Sequence, residues 1–180
     1  MSSPVVIVLA SGKGERFIAS GGHGNKLHAI VAGKRVIDWT LEAVKASGLR
    51  WHVEDAGHAG LGDSIAAAVK ATPDATGWLV LPADLPLIRP GTLIDVADSL
   101  DKHDVVVPHY RGQRGHPVGF DRVCESALRA LHGPGGAASV VRAEAAVDGA
   151  FDLELDDEGI VTDIDTVSDL LAAERALASR

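Results

Sequence analysis

Five consecutive apolar residues, Val5–Leu9, run directly into Ala10-Ser11-Gly12-Lys13-Gly14-Glu15-Arg16, and an isolated Lys26 follows ten residues later. An apolar run of this length reads as a buried strand, and the glycines behind it open a turn at its carboxyl end. Backbone N–H groups are exposed at such a turn. Arg and Lys bring positive potential to the same place, which suits an anionic, phosphate-bearing ligand. Two familiar phosphate signatures do not fit. A P-loop needs Gly-Lys followed by Ser or Thr, whereas Gly12-Lys13 precedes Gly14 and Gly33-Lys34 precedes Arg35. A dinucleotide fingerprint needs a third glycine where Phe17 stands. On its own, the segment suits a plain strand-to-helix turn as well as a phosphate loop.

Strands and helices alternate beyond it. Val36–Ala46 reads as a helix with Ile37, Leu41 and Val44 on one face and Gly48 as its stop. Residues 51–54 form a short strand, and Gly60-Leu61-Gly62-Asp63-Ser64 opens an alanine-rich helix to about Ala71, with Asp63 or Ser64 as its cap. A second buried strand covers 78–81, Pro90 starts a helix through Leu100, and a third strand covers 105–107. This order implies a largely parallel sheet covered on both faces. The rhythm changes after Pro108: Gly112, Gly115 and Gly119 suit a hairpin or an excursion over the sheet's edge across 109–120. A helix follows through Leu131, and Gly133-Pro134-Gly135-Gly136 breaks the chain before another helix through Ala145. Residues 151–155 alternate like a half-exposed strand, a turn covers 156–159, and a last helix ends near Ala178. With 180 residues, no repeat and no linker, a single domain over 1–180 is expected.

A net charge of −8 and an aromatic content of 4% speak against a nucleic-acid surface, which needs a basic stripe and stacking platforms. A small anionic substrate remains compatible, because Lys13, Arg16 and Lys26 concentrate positive charge locally. No apolar run spans a bilayer, and Met1-Ser2-Ser3-Pro4 lacks the basic start of a secretion signal, so a cytoplasmic location without a membrane partner is expected. The single cysteine, Cys124, lies at helical spacing among Phe120, Val123, Ala127, Leu128 and Leu131 and reads as core rather than nucleophile. The eight histidines form no His-Glu-x-x-His pattern, which disfavours a structural zinc site.

Three further segments carry candidate chemistry. Asp84, in Leu81-Pro82-Ala83-Asp84-Leu85-Pro86, follows a parallel strand at the edge where open α/β sheets bind ligands. Magnesium is typically held by one or two such carboxylates together with phosphate oxygens. A turn between two prolines is the alternative, and the apolar strand before it favours the metal. Arg111-Gly112-Gln113-Arg114-Gly115-His116-Pro117-Val118 could hold a second anionic substrate, although composition alone describes an exposed hairpin of solvated charges. In Asp163-Ile164-Asp165-Thr166, Asp165 or Thr166 could cap the last helix, since Thr166-Val167-Ser168-Asp169 resembles a capping box; a functional carboxylate is the other reading.

Taken in order, these stations resemble the MobA-like nucleotidyltransferases, nearest to the molybdenum cofactor cytidylyltransferase (MocA-like) branch. The pattern Leu-Ala-Ala-Gly-x-Ser-x-Arg, then Lys, appears as Leu9-Ala10-Ser11-Gly12-Lys13-Gly14-Glu15-Arg16 with Lys26-Leu27. Asp-x-Pro appears as Asp84-Leu85-Pro86, Arg-Gly-His-Pro as Arg114-Gly115-His116-Pro117, and Asp-Ile-Asp-Thr as Asp163-Ile164-Asp165-Thr166. The resemblance implies an α/β fold: a Rossmann-like three-layer sandwich with a mostly parallel sheet, of the nucleotide-diphospho-sugar transferase type. Between Gly48 and Gly60 only one strand fits, so the fold is expected to be shortened by one strand–helix unit. Ser11 and Gly14 depart from the family's Ala and Ser, residues 17–25 lengthen the loop, and Gly133-Pro134-Gly135-Gly136 lacks the acidic residue usual there.

The resemblance implies transfer of a nucleoside monophosphate, CMP favoured over GMP, from a triphosphate to a phosphorylated acceptor with release of pyrophosphate. Arg16, Lys26 and Asp84 would be catalytic. Leu9, Ala10, Ser11, Gly12, Lys13, Gly14, Arg16, Lys26, Gly62, Ser64 and Asp84 would bind nucleotide, and Arg114, Gly115, His116 and Asp165 the acceptor. Magnesium (Mg2+) would sit on Asp84, with Asp165 as a further candidate ligand. The implied partners are a nucleoside triphosphate and a phosphorylated pterin, with a molybdoenzyme or its maturation factor as the receiving protein. Transfer to a sugar or polyol phosphate, or a non-catalytic carrier of the pterin cofactor, are the competing readings.

Overall fold

The computed structural model describes residues 3–180, so Met1 and Ser2, which open the segment examined for a secretion signal, lie outside the described residues. Strand β1 (Val5–Leu9) leads through a loop to a short helix α1 (Glu15–Ala19). A 3-10 turn (Lys26–His28) then precedes a small hairpin of β2 (Ile30–Val31) and β3 (Lys34–Arg35). The sequence carries no signal for this hairpin. Ala32 and Gly33 both take positive φ at its tip, and the tip lacks the usual Asn-Gly signal. Helix α2 (Val36–Ala46), strand β4 (Arg50–Glu54), helix α3 (Leu61–Ala71), strand β5 (Gly77–Pro82) and helix α4 (Pro90–Ser99) follow in the expected alternation. Strands β6 (Val105–Tyr110), β7 (Gln113–Arg114) and β8 (Val118–Asp121) come next. The chain closes with α5 (Glu125–Arg129), α6 (Ala138–Ala145), β9 (Ala150–Glu154) and α7 (Val167–Ala178).

β1 pairs in parallel with β4 on one side and β5 on the other, and β6 pairs in parallel with β9. β8 lies between β5 and β6 and runs against both. The sheet is therefore mixed and mostly parallel, in the order β4-β1-β5-β8-β6-β9, with β7 pairing the end of β6. Alternate residues of each strand enter opposite cores. Val6, Val8, Leu79, Leu81 and Val106 pack under α2, α4 and α7, whereas Val5, Ile7, Trp78, Val80 and Phe120 pack under α3, α5 and α6. This is the expected three-layer sandwich, and β4 is the single strand between Gly48 and Gly60. No helix among the described residues is long and apolar enough to cross a membrane.

Two local expectations are corrected. The 109–120 segment makes a tight hairpin between β6 and β7, but its second half enters the centre of the sheet as β8 instead of crossing an edge. Val118 and Phe120 are 4% and 0% exposed, so the apolar residues override the loop character of the glycines. Gly119 permits this, because a Cβ there would meet Val96 of α4 at 2.9 Å. Neither Asp63 nor Ser64 caps α3. Its N-cap is Gly60, the Asp63 carboxylate accepts from the Gly133 N–H at 3.0 Å, and Ser64 donates back to the Gly60 carbonyl. Cys124 is buried as expected, and burial pushes its thiol pKa up to about 12, which makes it inert at neutral pH.

Candidate active site

The parallel strands β4, β1 and β5 deliver their carboxyl ends to one edge of the sheet, and the antiparallel β8 begins at that same edge opposite Val80. The connections leaving or entering these strands carry the candidate residues. After β1, residues 10–14 form an open loop in which Gly14 adopts φ +65° and caps α1. A side chain at Gly14 would be strained in this conformation and would contact the Lys26 stem at 3.5 Å. Asn25 accepts from the Leu27 N–H at 2.9 Å and Leu27 is buried, so the 3-10 turn aims Lys26 back under the loop.

Asp84 is held by its backbone. The Ala83 N–H donates to the Leu9 carbonyl at 3.0 Å, Thr40 of α2 donates to the Ala83 carbonyl at 2.8 Å, and the Ile164 N–H donates to the Asp84 carbonyl at 3.0 Å. The Lys26 ammonium lies 2.6 Å from Asp84 Oδ2 and 3.1 Å from Asp165 Oδ1, and Arg16 lies 2.7 Å from Asp165 Oδ2. Burial opposes the charge on Lys26, but the Asp84 charge and hydrogen bond, followed by those of Asp165, outweigh it and raise its pKa. Lys26 is thus a fixed cation at the centre of the site.

Of the two candidate caps at 163–166, Thr166 and not Asp165 is the N-cap of α7. Thr166 and Asp169 form a reciprocal capping box on α7, and the Asp165 N–H also donates to Asp169. That leaves the Asp165 carboxylate free to face Lys26 and Arg16. The same turn brings up Asp163, the first residue of the Asp163-Ile164-Asp165-Thr166 motif, as a third carboxylate. Burial, a hydrogen bond with Asp165, and the charges of Asp165 and Asp84 raise the Asp163 pKa. One oxygen each from Asp84, Asp163 and Asp165 lies within 4.8 Å of the others. Asp84 Oδ1 is buried without a hydrogen-bond partner among the described residues. Three converging carboxylates and an unpaired buried oxygen fit a hard divalent cation with oxygen ligands.

A cleft of about 660 Å³ opens beside this cluster, a volume suited to a nucleotide-sized ligand. Leu9, Ser11, Gly12, Lys13, Lys26, Asp84, Arg114 and His116 line it, together with Gly60 and Leu61 of the expected 60–64 segment and with His58, Ala59 and 134–138, which carry no sequence signal for the site. The 134–138 loop is fixed there by the Gly133 hydrogen bonds to the start of α3. Of the other predicted residues, Ser64 is buried and its hydroxyl lies 3.2 Å from that of Ser11, so it touches the loop from below. Gly62 packs on the His132 backbone, where a Cβ would come within 2.9 Å of its carbonyl oxygen. Gly115 packs beneath the Ile160 backbone in the same way and turns His116 inward. The Arg16 side chain is 77% exposed and sits beside the cleft, as does Asp165.

His116 Nδ1 is buried without a partner among the described residues. Burial, then the Arg114 charge, lowers the imidazole pKa, while Asp84 and a Val80 backbone hydrogen bond act the other way. His116 is therefore neutral at physiological pH, with one nitrogen able to accept and one to donate.

A sequence model of the MobA-like NTP transferase domain matches residues 42–148, more than half of the chain. The bifunctional protein GlmU of Pelobacter propionicus is 31% identical over 147 residues, covering 68% of this chain and 31% of GlmU. The chain thus spans about a third of the length of the curated relatives it matches. Among solved structures, Rv0371c from Mycobacterium tuberculosis aligns with a TM-score of 0.80 at 22% identity, over 97% of this chain and 98% of that one. Its complex with manganese aligns at 0.75 with 21% identity over the same shares. Molybdopterin-guanine dinucleotide biosynthesis protein A from Archaeoglobus fulgidus aligns at 0.67 with 19% identity, over 98% and 100% of the two chains. At these identities the structural likenesses show a common fold.

Proposed function

The chain belongs to the MobA-like NTP transferase family, and on that footing we propose that it transfers CMP from CTP to the terminal phosphate of a molybdopterin-type cofactor, releasing pyrophosphate. The observation that carries this reading is the convergence of Lys26, Asp84 and Asp165 at the end of β1 and β5, beside a glycine loop and a nucleotide-sized cleft. The loop amides, Lys13 and Lys26 bind the β- and γ-phosphates, and Arg16 reaches them from the open side. Arg114, at the end of β7, and His116, in the connection to β8, position the acceptor phosphate. An acceptor oxygen attacks the α-phosphorus as the bond from that phosphorus to the pyrophosphate oxygen breaks, so the protein supplies alignment and charge rather than a covalent intermediate.

Asp84 and Asp165, with Asp163 at their side, would hold a divalent cation. Magnesium is our choice, and the manganese complex of the mycobacterial neighbour is in keeping with a divalent ion on this fold. Such an ion, when bound, neutralises charge on the phosphate oxygens. The molybdopterin acceptor rests on the Arg114-Gly115-His116-Pro117 block and on the motif ending at Thr166, and a molybdoenzyme or its maturation factor would receive the product. The test is pyrophosphate release from CTP and from GTP with magnesium or manganese, with and without molybdopterin. CTP-dependent release that requires the acceptor is expected. Binding without release would identify a carrier, and a clear preference for GTP would move the chain to the guanylyltransferase branch.

A further inference from the structure

At the β4 end of the cleft, Glu54 is buried and stands between two histidines. His58 Nε2 lies 3.2 Å from Glu54 Oε1, His52 Nε2 lies 3.5 Å from Oε2, and the Ala56 N–H donates to Oε1 at 3.1 Å. Only His58 of the pair lines the cleft. A carboxylate can only accept, so the contact fixes the hydrogen of a neutral His58 on Nε2 and leaves Nδ1 as an acceptor. The sheet order then gives this group its place. The loops after β4, β1 and β5 follow one another along the sheet edge, carrying His58, the glycine loop and Asp84 in that sequence. Two strand spacings, about 9.6 Å, separate the first from the last. With the phosphates at Lys13, Lys26 and Asp84 and the acceptor at Arg114 and His116, the part of the cleft left for the nucleoside is lined by 58–61 and 134–138, which places it against His58.

We propose that His58 reads the nucleotide base through an Nδ1 acceptor whose tautomer Glu54 sets, and that this selects cytosine, with its exocyclic amino donor, over uracil, with its carbonyl. The proposal rests on the triphosphate-binding part of the functional reading and deepens it. Glu54 acts only through His58 and is a positioning residue. An acceptor facing an amino group makes a hydrogen bond, whereas an acceptor facing a carbonyl leaves two acceptors opposed in a partly desolvated cleft, the larger of the two effects.

The experiment measures CTP and UTP binding to the 180-residue chain by calorimetry, with magnesium. The parent should bind CTP at least about tenfold more tightly than UTP. Glu54→Leu removes the acceptor that holds the His58 hydrogen on Nε2, so the tautomer is no longer set and the CTP:UTP ratio should fall. His58→Leu, at a side chain 32% exposed, should bring the two affinities together by weakening CTP. This second variant keeps the test decisive if Glu54→Leu does not fold. A purely structural role for Glu54 would lower stability without moving the ratio. The proposal is overturned if the parent shows no CTP preference, if it binds neither nucleotide, or if His58→Leu keeps the parent's ratio. A CTP preference that responds to both variants, without any pyrophosphate release, would sustain the base-reading role while removing the transferase reading.

Discussion

Replacing Asp84 by Asn tests the proposed metal-binding role of this carboxylate apart from its role in the fold. The substitution keeps side-chain volume and leaves untouched the backbone contacts that Thr40, Leu9 and Ile164 make around residue 84. It removes the negative charge from the 2.6 Å Lys26 contact, between side chains that are 12% and 13% exposed, and leaves only a neutral amide oxygen to accept there. A charge-assisted hydrogen bond in such surroundings is worth about 1.5–3 kcal/mol. Lys26 keeps Asp165 at 3.1 Å, and the variant relieves repulsion among the three carboxylates, so the net loss of stability should be only about 1–2 kcal/mol. For a chain of this size that is a fall in Tm of about 2–8 °C. Activity should fall far more steeply, because the variant loses the carboxylate that carries the buried, unpaired oxygen. A decrease in turnover of at least about 10³-fold, equivalent to about 4 kcal/mol, is expected at saturating magnesium. Pyrophosphate release and thermal unfolding of the same preparation give both quantities. Turnover near the parent's at saturating cation would refute the metal assignment and leave Asp84 as a turn residue.

Lys26→Ala should weaken triphosphate binding by about 10- to 100-fold, whereas Arg16→Ala, at a side chain 77% exposed, should have the smaller effect; calorimetry checks the order, and unchanged binding in both would make the loop merely structural. Lys26→Ala also leaves three carboxylates facing one another, so its Tm should rise more on adding magnesium than the parent's does. His116→Ala should raise the KM for the acceptor or lower turnover while leaving triphosphate affinity alone, and an equal loss toward both substrates in steady-state kinetics would remove the acceptor assignment. Because burial holds the folded His116 pKa below 6.5, the unfolded chain takes up the extra proton first as pH falls. The stability this contributes is full above about pH 6.5 and is lost as pH falls through the folded value, and urea unfolding across that range should show a shallower acid-side decline in His116→Ala.

Much of the fold was legible because apolar runs and helix breakers act locally. β1, α2, α4 and α7 appear where strand patterning, Pro90, Gly48 and the Thr166 capping box put them. The glycine loop, Lys26, Asp84 and Asp165 could be picked out because a Gly-rich turn or a carboxylate after a buried strand has an identifiable chemistry. The central position of β8 was not legible. Gly112, Gly115 and Gly119 have the composition of a loop, and only the burial of Val118 and Phe120 against partners distant in sequence makes the last part a strand.

By itself the sequence determined the strand–helix alternation, the place of the glycine loop and Asp84 at the ends of strands, and the family to which the chain belongs. Tertiary structure alone decided which of these residues meet. Lys26 and Asp165 stand 139 positions apart in the chain and 3.1 Å apart in space, and Asp163 joins them only because the turn before α7 folds onto β5. The same holds for His58, which reads as an unremarkable loop histidine until the buried Glu54 carboxylate orients it beside the cleft. Periodicity and turn chemistry are written in neighbouring residues, so a sequence displays them. The meeting of charges across the edge of a sheet depends on strand order and on which loops cover it, and neither is fixed until the cores on both faces have packed.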